Sequence, residues 1–307
     1  MNKLVIWISA LRLRTLPLAA ASIILSAGLA AQAHIFDPVI FTFTLITALL
    51  LQILSNLAND YGDAISGADN DFRVGPTRAM QTGVISKKSM KRAILITVVV
   101  TICSGVSLLF IALGNDLTSW LLFLALGVLA LAAAITYTMG KLPYGYRALG
   151  DLSVFIFFGL LGVIGSYYLY AHTFHYGLLL PACSIGMLSA AVLNINNMRD
   201  VFNDKAANKI TLVVLWGRRK AYIYHLFLLF TGQLLACLYL CTLIDVAAWQ
   251  YLFLLTLIPF SKSCLRLSVA INGDCRDGDI FNQELKNTAI SSFVFALLFA
   301  LLLIPVS

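Results

Sequence analysis

Apolar residues in this chain come in nine long runs, roughly 15–33, 38–58, 93–113, 118–138, 152–171, 177–195, 222–243, 246–263 and 288–306. Each is about the 20 residues that a helix needs to cross a hydrocarbon core. None shows the strict in–out alternation of a barrel strand, and a spanning backbone must satisfy its own hydrogen bonds, so the runs predict nine transmembrane helices. The eighth run is the weakest, because Lys262 and Arg266 crowd its end; their long stems can snorkel toward the surface. The first run lacks the small-residue cleavage site of a removed leader, so it is expected to stay as a span.

Composition agrees with the pattern. Of 307 residues, 60% are apolar and 11% charged, and the mean hydropathy is +0.90. A soluble domain cannot bury that much apolar surface. No polar stretch is long enough for a second domain, so residues 1–307 read as one all-α transmembrane domain. The six cysteines are scattered. Cys237 and Cys241 share a helix face but have no acidic or His partner, so they read as buried thiols and not as metal ligands.

The charges give an orientation. All 21 Lys and Arg lie in the first segment or in alternate loops, while Asp37, Asp116 and Asp245 mark the opposite side. By the positive-inside rule the N-terminus and the four long loops face the cytoplasm, as in a bacterial inner-membrane protein. The formal charge of +7 then reflects topology and anionic lipid or ligands, not nucleic acid.

Two polar clusters break the apolar pattern. NLANDYGDAISGAD (Asn56 to Asp69) ends the second run, and NINNMRDVFND (Asn194 to Asp204) ends the sixth. Four helices separate equivalent points, which predicts two four-helix halves plus a ninth helix. Asn59 and Asp63 are four apart, as are Asn196, Asp200 and Asp204, so on a continuing helix each set shares a face. Oxygen-only ligands at this density suit a hard cation such as Mg2+, which binds through one or two carboxylates together with substrate phosphates. A single such cluster reads as helix caps and polar loop. Two at matching positions, followed by Arg73 and Arg78 and by Lys205 and Lys209, point to a site for a metal-bound diphosphate.

NDYGD with Asp69, and RDVFND, resemble the two aspartate-rich motifs of the UbiA superfamily of intramembrane aromatic prenyltransferases. The resemblance covers nearly the whole chain, including LRLRTLPLA, LQILSNLANDYGD, RVGPTRAMQTGVIS, ITYTMGKLPYGYRALGDLSVFIFFG, LNINNMRDVFNDKAANKITLVV and FNQELKNTA. The R-x-GP-x-R and GYRALGD stretches are similar to those of its naphthoate branch. One departure is Asn208 before Lys209, where the family has Gly; Asn tolerates left-handed backbone, so the turn is expected to survive. Either Asp69 or Asp71 completes the first motif.

The resemblance implies transfer of a polyprenyl group from polyprenyl diphosphate to 1,4-dihydroxy-2-naphthoate with loss of CO2. It implies Mg2+ on Asn59, Asp63, Asp69, Asp200 and Asp204, with Asp63 and Asp200 central to catalysis. Arg73, Arg78 and Lys209 would contact phosphate oxygens, with Asn59 and Asn196 beside them. Tyr137 and Lys141 would line the pocket, Tyr137 facing the cation with its ring, and Arg147 and Asp151, at the start of the fifth helix, would help bind substrate. Two other readings are a prenyltransferase for another aromatic acid, such as 4-hydroxybenzoate, and a cation-coupled transporter. Transporters place ionisable groups near mid-span, whereas these acids gather at one surface.

Overall fold

Backbone N–H and C=O groups in lipid must be satisfied within the segment, and the chain answers with helices throughout. The structure is a computed structural model that describes residues 3–67, 78–273 and 278–304. Among the described residues nine helices are long and apolar enough to cross a membrane. They are α1 (Leu4–Gln32), α2 (Pro38–Ser66), α3 (Lys87–Leu113), α4 (Leu117–Thr136), α5 (Gly150–Ala171), α6 (Tyr176–Ala206), α7 (Leu212–Cys241), α8 (Ala248–Asn272) and α9 (Gly278–Leu303). The protein is an integral membrane protein.

Local chemistry sets the helix ends. Asp37 caps α2, accepting from the backbone N–H of Val39 at 2.7 Å and Ile40 at 3.1 Å, with Pro38 in the first turn. Asp116 caps α4 in the same way. Such caps satisfy donors that a helix start leaves open. Two of the three acids opposite the basic loops are therefore structural.

Three irregularities were not visible in the hydropathy. Arg12 adopts left-handed backbone (φ 49°), and a tight turn over Leu13–Thr15 splits α1. In α7, Gly217 (φ 78°, ψ 161°) separates the first turn from the rest. In α5, Phe155–Gly165 is wound as a π-helix, a rare form that is frequent at functional sites.

The helices α6 and α7 pack along their length, as do α1 and α9, α2 and α3, and α5 and α6. Small residues make the closest approaches. A Cβ added to Gly28 would lie 2.5 Å from the Cα of Ala300, and one on Gly159 would lie 2.7 Å from the Cα of Gly186. Glycine lets backbones meet where lipid gives no hydrophobic drive. Helices α2 and α6 both run past their apolar stretches, to Ser66 and Ala206. The two polar clusters are thereby carried on rigid helix.

Candidate functional site

The last turns of α2 hold three polar side chains with different tasks. Asn56 mends the break in α1, donating to the Leu11 carbonyl at 2.9 Å and to Thr15 Oγ1 at 3.0 Å. Asn59 Oδ1 accepts from Thr138 Oγ1 at 3.1 Å. That contact depends on Gly62, where a Cβ would lie 2.5 Å from Thr138 Oγ1. Asp63 is buried; its carboxylate pairs with Arg78 and accepts from Tyr146 Oη at 2.7 Å. Arg78 Nη1 also donates to the Asn59 carbonyl at 3.0 Å, and Tyr146 Oη lies 2.8 Å from Ser66 Oγ.

The end of α6 is built differently. Arg199 clasps Asp200 with two hydrogen bonds, at 2.8 and 2.6 Å, and also donates to Asn196 Oδ1 and Asn282 Oδ1. Lys209 Nζ lies 3.5 Å from Asp204 Oδ1. It is returned there by Asn208, whose φ of 53° is left-handed, and by a 2.8 Å bond from the Lys209 N–H to the Asp204 carbonyl. The turn expected at Asn208 has formed. Lys209 Nζ also sits 5.6 Å from the centre of the Tyr146 ring. Burial alone would lower the Lys209 pKa, but the carboxylates of Asp204 and Asp63 outweigh it and hold the ammonium above its ordinary range. Burial likewise raises the phenols of Tyr137 and Tyr146, so both are protonated hydrogen-bond donors at neutral pH.

Two backbone bonds join the loops that carry these groups. The Ala148 N–H donates to the Ile210 carbonyl at 2.7 Å, and the Ile210 N–H to the Tyr146 carbonyl at 3.2 Å. Lys209 and Tyr146 thus bridge Asp204 of α6 and Asp63 of α2.

Side chains from both helix ends line one cavity of about 570 Å³. Asn59, Asp63, Arg78, Tyr137, Asn196 and Lys209 line it, with Arg12 and Arg14 from the break in α1. Arg14 is close enough to Arg199, Arg78 and Asp200 to feel their charges. Most of the remaining wall is apolar and includes Leu18, Leu51, Val106, Leu124, Phe157, Phe158 and Leu161, interrupted by hydroxyls such as Ser22, Thr47 and Thr101.

Asp200 and Asp204 are buried but do not line the cavity. Asp151 is also buried and off the lining, its Oδ1 without a hydrogen-bond partner among the described residues. Its neighbour Gly150 packs on the Tyr137 hydroxyl, where a Cβ would lie 2.8 Å away. Lys141 and Arg147 are exposed and do not reach the cavity. The cause is the turn after α4. Gly140 (φ 104°) reverses the chain, and the Gly145 N–H bonds the Tyr137 carbonyl at 2.9 Å. Tyr144 lines the cavity and Tyr146 binds Asp63, while Lys141 stays in the turn. Asp69, Asp71 and Arg73 lie outside the described residues. Sequence reading missed Tyr146 and Arg199 as partners of the acids. No local signal marks Tyr146, 83 residues from Asp63; Arg199 stands next to Asp200 but was counted only as a topological charge.

Among the described residues no three acid, His or Cys side chains converge as a ready-made metal cluster. The donor set is nevertheless all hard oxygen, and Asp204 Oδ2 is buried without a hydrogen-bond partner among the described residues. An orphaned carboxylate oxygen beside further carboxylates fits a hard divalent cation.

The model of the UbiA prenyltransferase family matches residues 19–270. The chain belongs to the UbiA prenyltransferase family. It is 52% identical over 250 residues to a 1,4-dihydroxy-2-naphthoate octaprenyltransferase of Escherichia coli (strain K12), covering 81% of this chain and 80% of that protein. It is 37% identical to one of Mycobacterium tuberculosis (strain ATCC 25618 / H37Rv), over 77% of this chain and 78% of that protein. Among solved structures it is similar to a UbiA homolog from Archaeoglobus fulgidus bound to GPP and Mg2+. The TM-score is 0.61 and the identity 16%, covering 95% of this chain and 98% of that one. The likeness establishes a shared UbiA fold.

Proposed function

We propose that this UbiA family member transfers a polyprenyl group from polyprenyl diphosphate to 1,4-dihydroxy-2-naphthoate, releasing CO2 and giving a demethylmenaquinol. The observation that carries the reading is the cavity, which is apolar along most of its wall and polar where Asp63, Arg78 and Lys209 face it. That is the shape of an amphiphile with a long hydrocarbon tail and a highly charged head. The relatives named for this activity support the choice of acceptor.

In this reading Arg78 and Lys209 bind the diphosphate oxygens, Arg78 with its planar fork. Arg73 is proposed to join them. Asn59, Asp63, Asp200 and Asp204 would hold Mg2+, with Asp69 completing the first motif and Asn196 supporting Asp200. Bound magnesium would neutralise the charge that develops on the leaving diphosphate. The C–O bond of the donor breaks, and the electron pair leaves with the diphosphate. The naphthoate carbon bearing the carboxylate then bonds to the allylic cation, and the carboxylate departs as CO2, restoring the ring. Tyr137 faces the cation with its ring, and the apolar wall keeps water from it. The basic loops support a cytoplasmic position for this end of the bundle, with the protein in the inner membrane.

The test supplies membranes holding the protein with labelled prenyl diphosphate, Mg2+ and each aromatic acid in turn. Labelled quinol and CO2 from the naphthoate, lost on adding EDTA and regained with Mg2+, are expected. Product only from 4-hydroxybenzoate would move the assignment to another acceptor. No turnover with either acid, together with ion-driven uptake, would overturn it.

A further inference from the structure

A second pocket lies in the groove between α8 and α9, with a volume of about 320 Å³. Its charges do not balance. Glu284 is buried and both of its oxygens are taken, Oε1 by Arg266 Nη1 at 3.1 Å and Oε2 by Asn287 Nδ2 at 3.2 Å. Arg266 remains 61% exposed while Glu284 is 1% exposed, so the guanidinium presents its outer edge to the surroundings. Lys262 lines the same pocket, is exposed, and makes no hydrogen bond or ion pair among the described residues.

Depth makes this lysine unusual. Helix α8 ends at Asn272, in a loop that belongs to the basic end of the bundle. At about 1.5 Å per residue, Arg266 lies about 9 Å and Lys262 about 15 Å from that end. Leu265 and Val269, on the same stretch of α8, are 68% and 73% exposed, so this face meets acyl chains. A cation beside lipid within a spanning helix is expensive to leave unpaired, so an anionic partner is sought for it.

We propose that the α8–α9 groove is a binding site for the headgroup phosphate of an anionic phospholipid in the leaflet at the basic end. Arg266 receives the phosphate near the interface, Lys262 rises to it along its alkyl stem, and the exposed apolar residues of α8 seat the acyl chains. Basic pockets between helices on this side of a membrane have the chemistry to select anionic lipid. The inference does not depend on the reaction proposed for the cavity.

The test uses the full-length protein, delipidated in detergent, with phosphatidylglycerol or phosphatidylcholine titrated and bound lipid counted by native mass spectrometry. Wild type is expected to prefer phosphatidylglycerol. Lys262→Gln should weaken that binding about fivefold, the effect of one interfacial cation, with Lys262→Arg restoring it. Lys262→Met, which leaves no partner unpaired, serves if the Gln variant is not recovered folded. The control is Lys88→Gln, an exposed cation elsewhere on the basic end, which should change nothing. Equal binding of the two lipids, or equal loss in the Lys88 variant, would overturn the proposal. So would Lys262-dependent displacement of the phospholipid by geranyl diphosphate, which would assign the groove to prenyl donor instead.

Discussion

Replacing Tyr146 with Phe removes one oxygen atom and tests whether Asp63 must be held in place. The hydroxyl donates to Asp63 Oδ1 at 2.7 Å, while the ring stands against the Lys209 ammonium at 5.6 Å and survives the change. A hydrogen bond to a charged group contributes about 1.5–3 kcal/mol. Tyr146 is only half-buried, so water can replace part of the lost donor, and the low end applies. At about 1.4 kcal/mol per factor of ten, kcat/KM should fall roughly tenfold. Because Asp63 is proposed to hold magnesium, the Mg2+ concentration for half-maximal rate should rise as well, a change that a merely structural tyrosine would not produce. Tyr146→Ala, which also removes the ring from Lys209, should cost more. Initial rates in proteoliposomes across a magnesium series, with the unfolding midpoint of each variant measured in parallel, give both numbers. If both variants keep wild-type kcat/KM and wild-type magnesium dependence, Tyr146 does not position Asp63 and the reasoning fails.

Other outcomes are specific enough to check. Asp63→Asn and Asp200→Asn keep side-chain shape but remove charge, and each should lower turnover by more than about 100-fold while the protein still inserts and elutes as folded. Gly62→Ala places a Cβ 2.5 Å from Thr138 Oγ1 and 2.6 Å from its carbonyl oxygen; overpacking of this kind costs about 1–3 kcal/mol, read as a lowered unfolding midpoint together with lost activity. Asn208→Val puts a β-branched residue at φ 53° and should destabilise by about 1–2 kcal/mol, displacing Lys209 and weakening donor binding, whereas Asn208→Gly should be active and no less stable.

Much of the architecture could be read from the chain because lipid imposes few solutions. Hydropathy alone locates nine spans, and the spacing of Asn59 and Asp63 anticipates that α2 continues as a helix beyond its apolar part. The left-handed turn at Asn208 followed from the departure from the family's glycine. What escaped was long-range or local-geometric. The partner of Asp63 comes from a loop 83 residues away, and nothing near Tyr146 announces it. The failure at Lys141 has the same root. It stands in a turn-prone stretch between Gly140 and Gly145, whose composition does not fix which side chain the chain returns inward. The reversal at Gly140 decides in favour of Tyr144 and Tyr146. The breaks at Arg12 and Gly217 leave the mean hydropathy of their segments unchanged, so a hydropathy profile passes over them.

The pair of backbone bonds linking Ala148 and Tyr146 to Ile210 has a mechanical consequence. Two connections that are more than 60 residues apart in the chain are tied together, one carrying the Tyr146 phenol that binds Asp63 and the other the Lys209 ammonium beside that ring. A substitution that displaces either connection should therefore disturb both groups at once, read as a joint loss of the Tyr146 and Lys209 contributions to turnover.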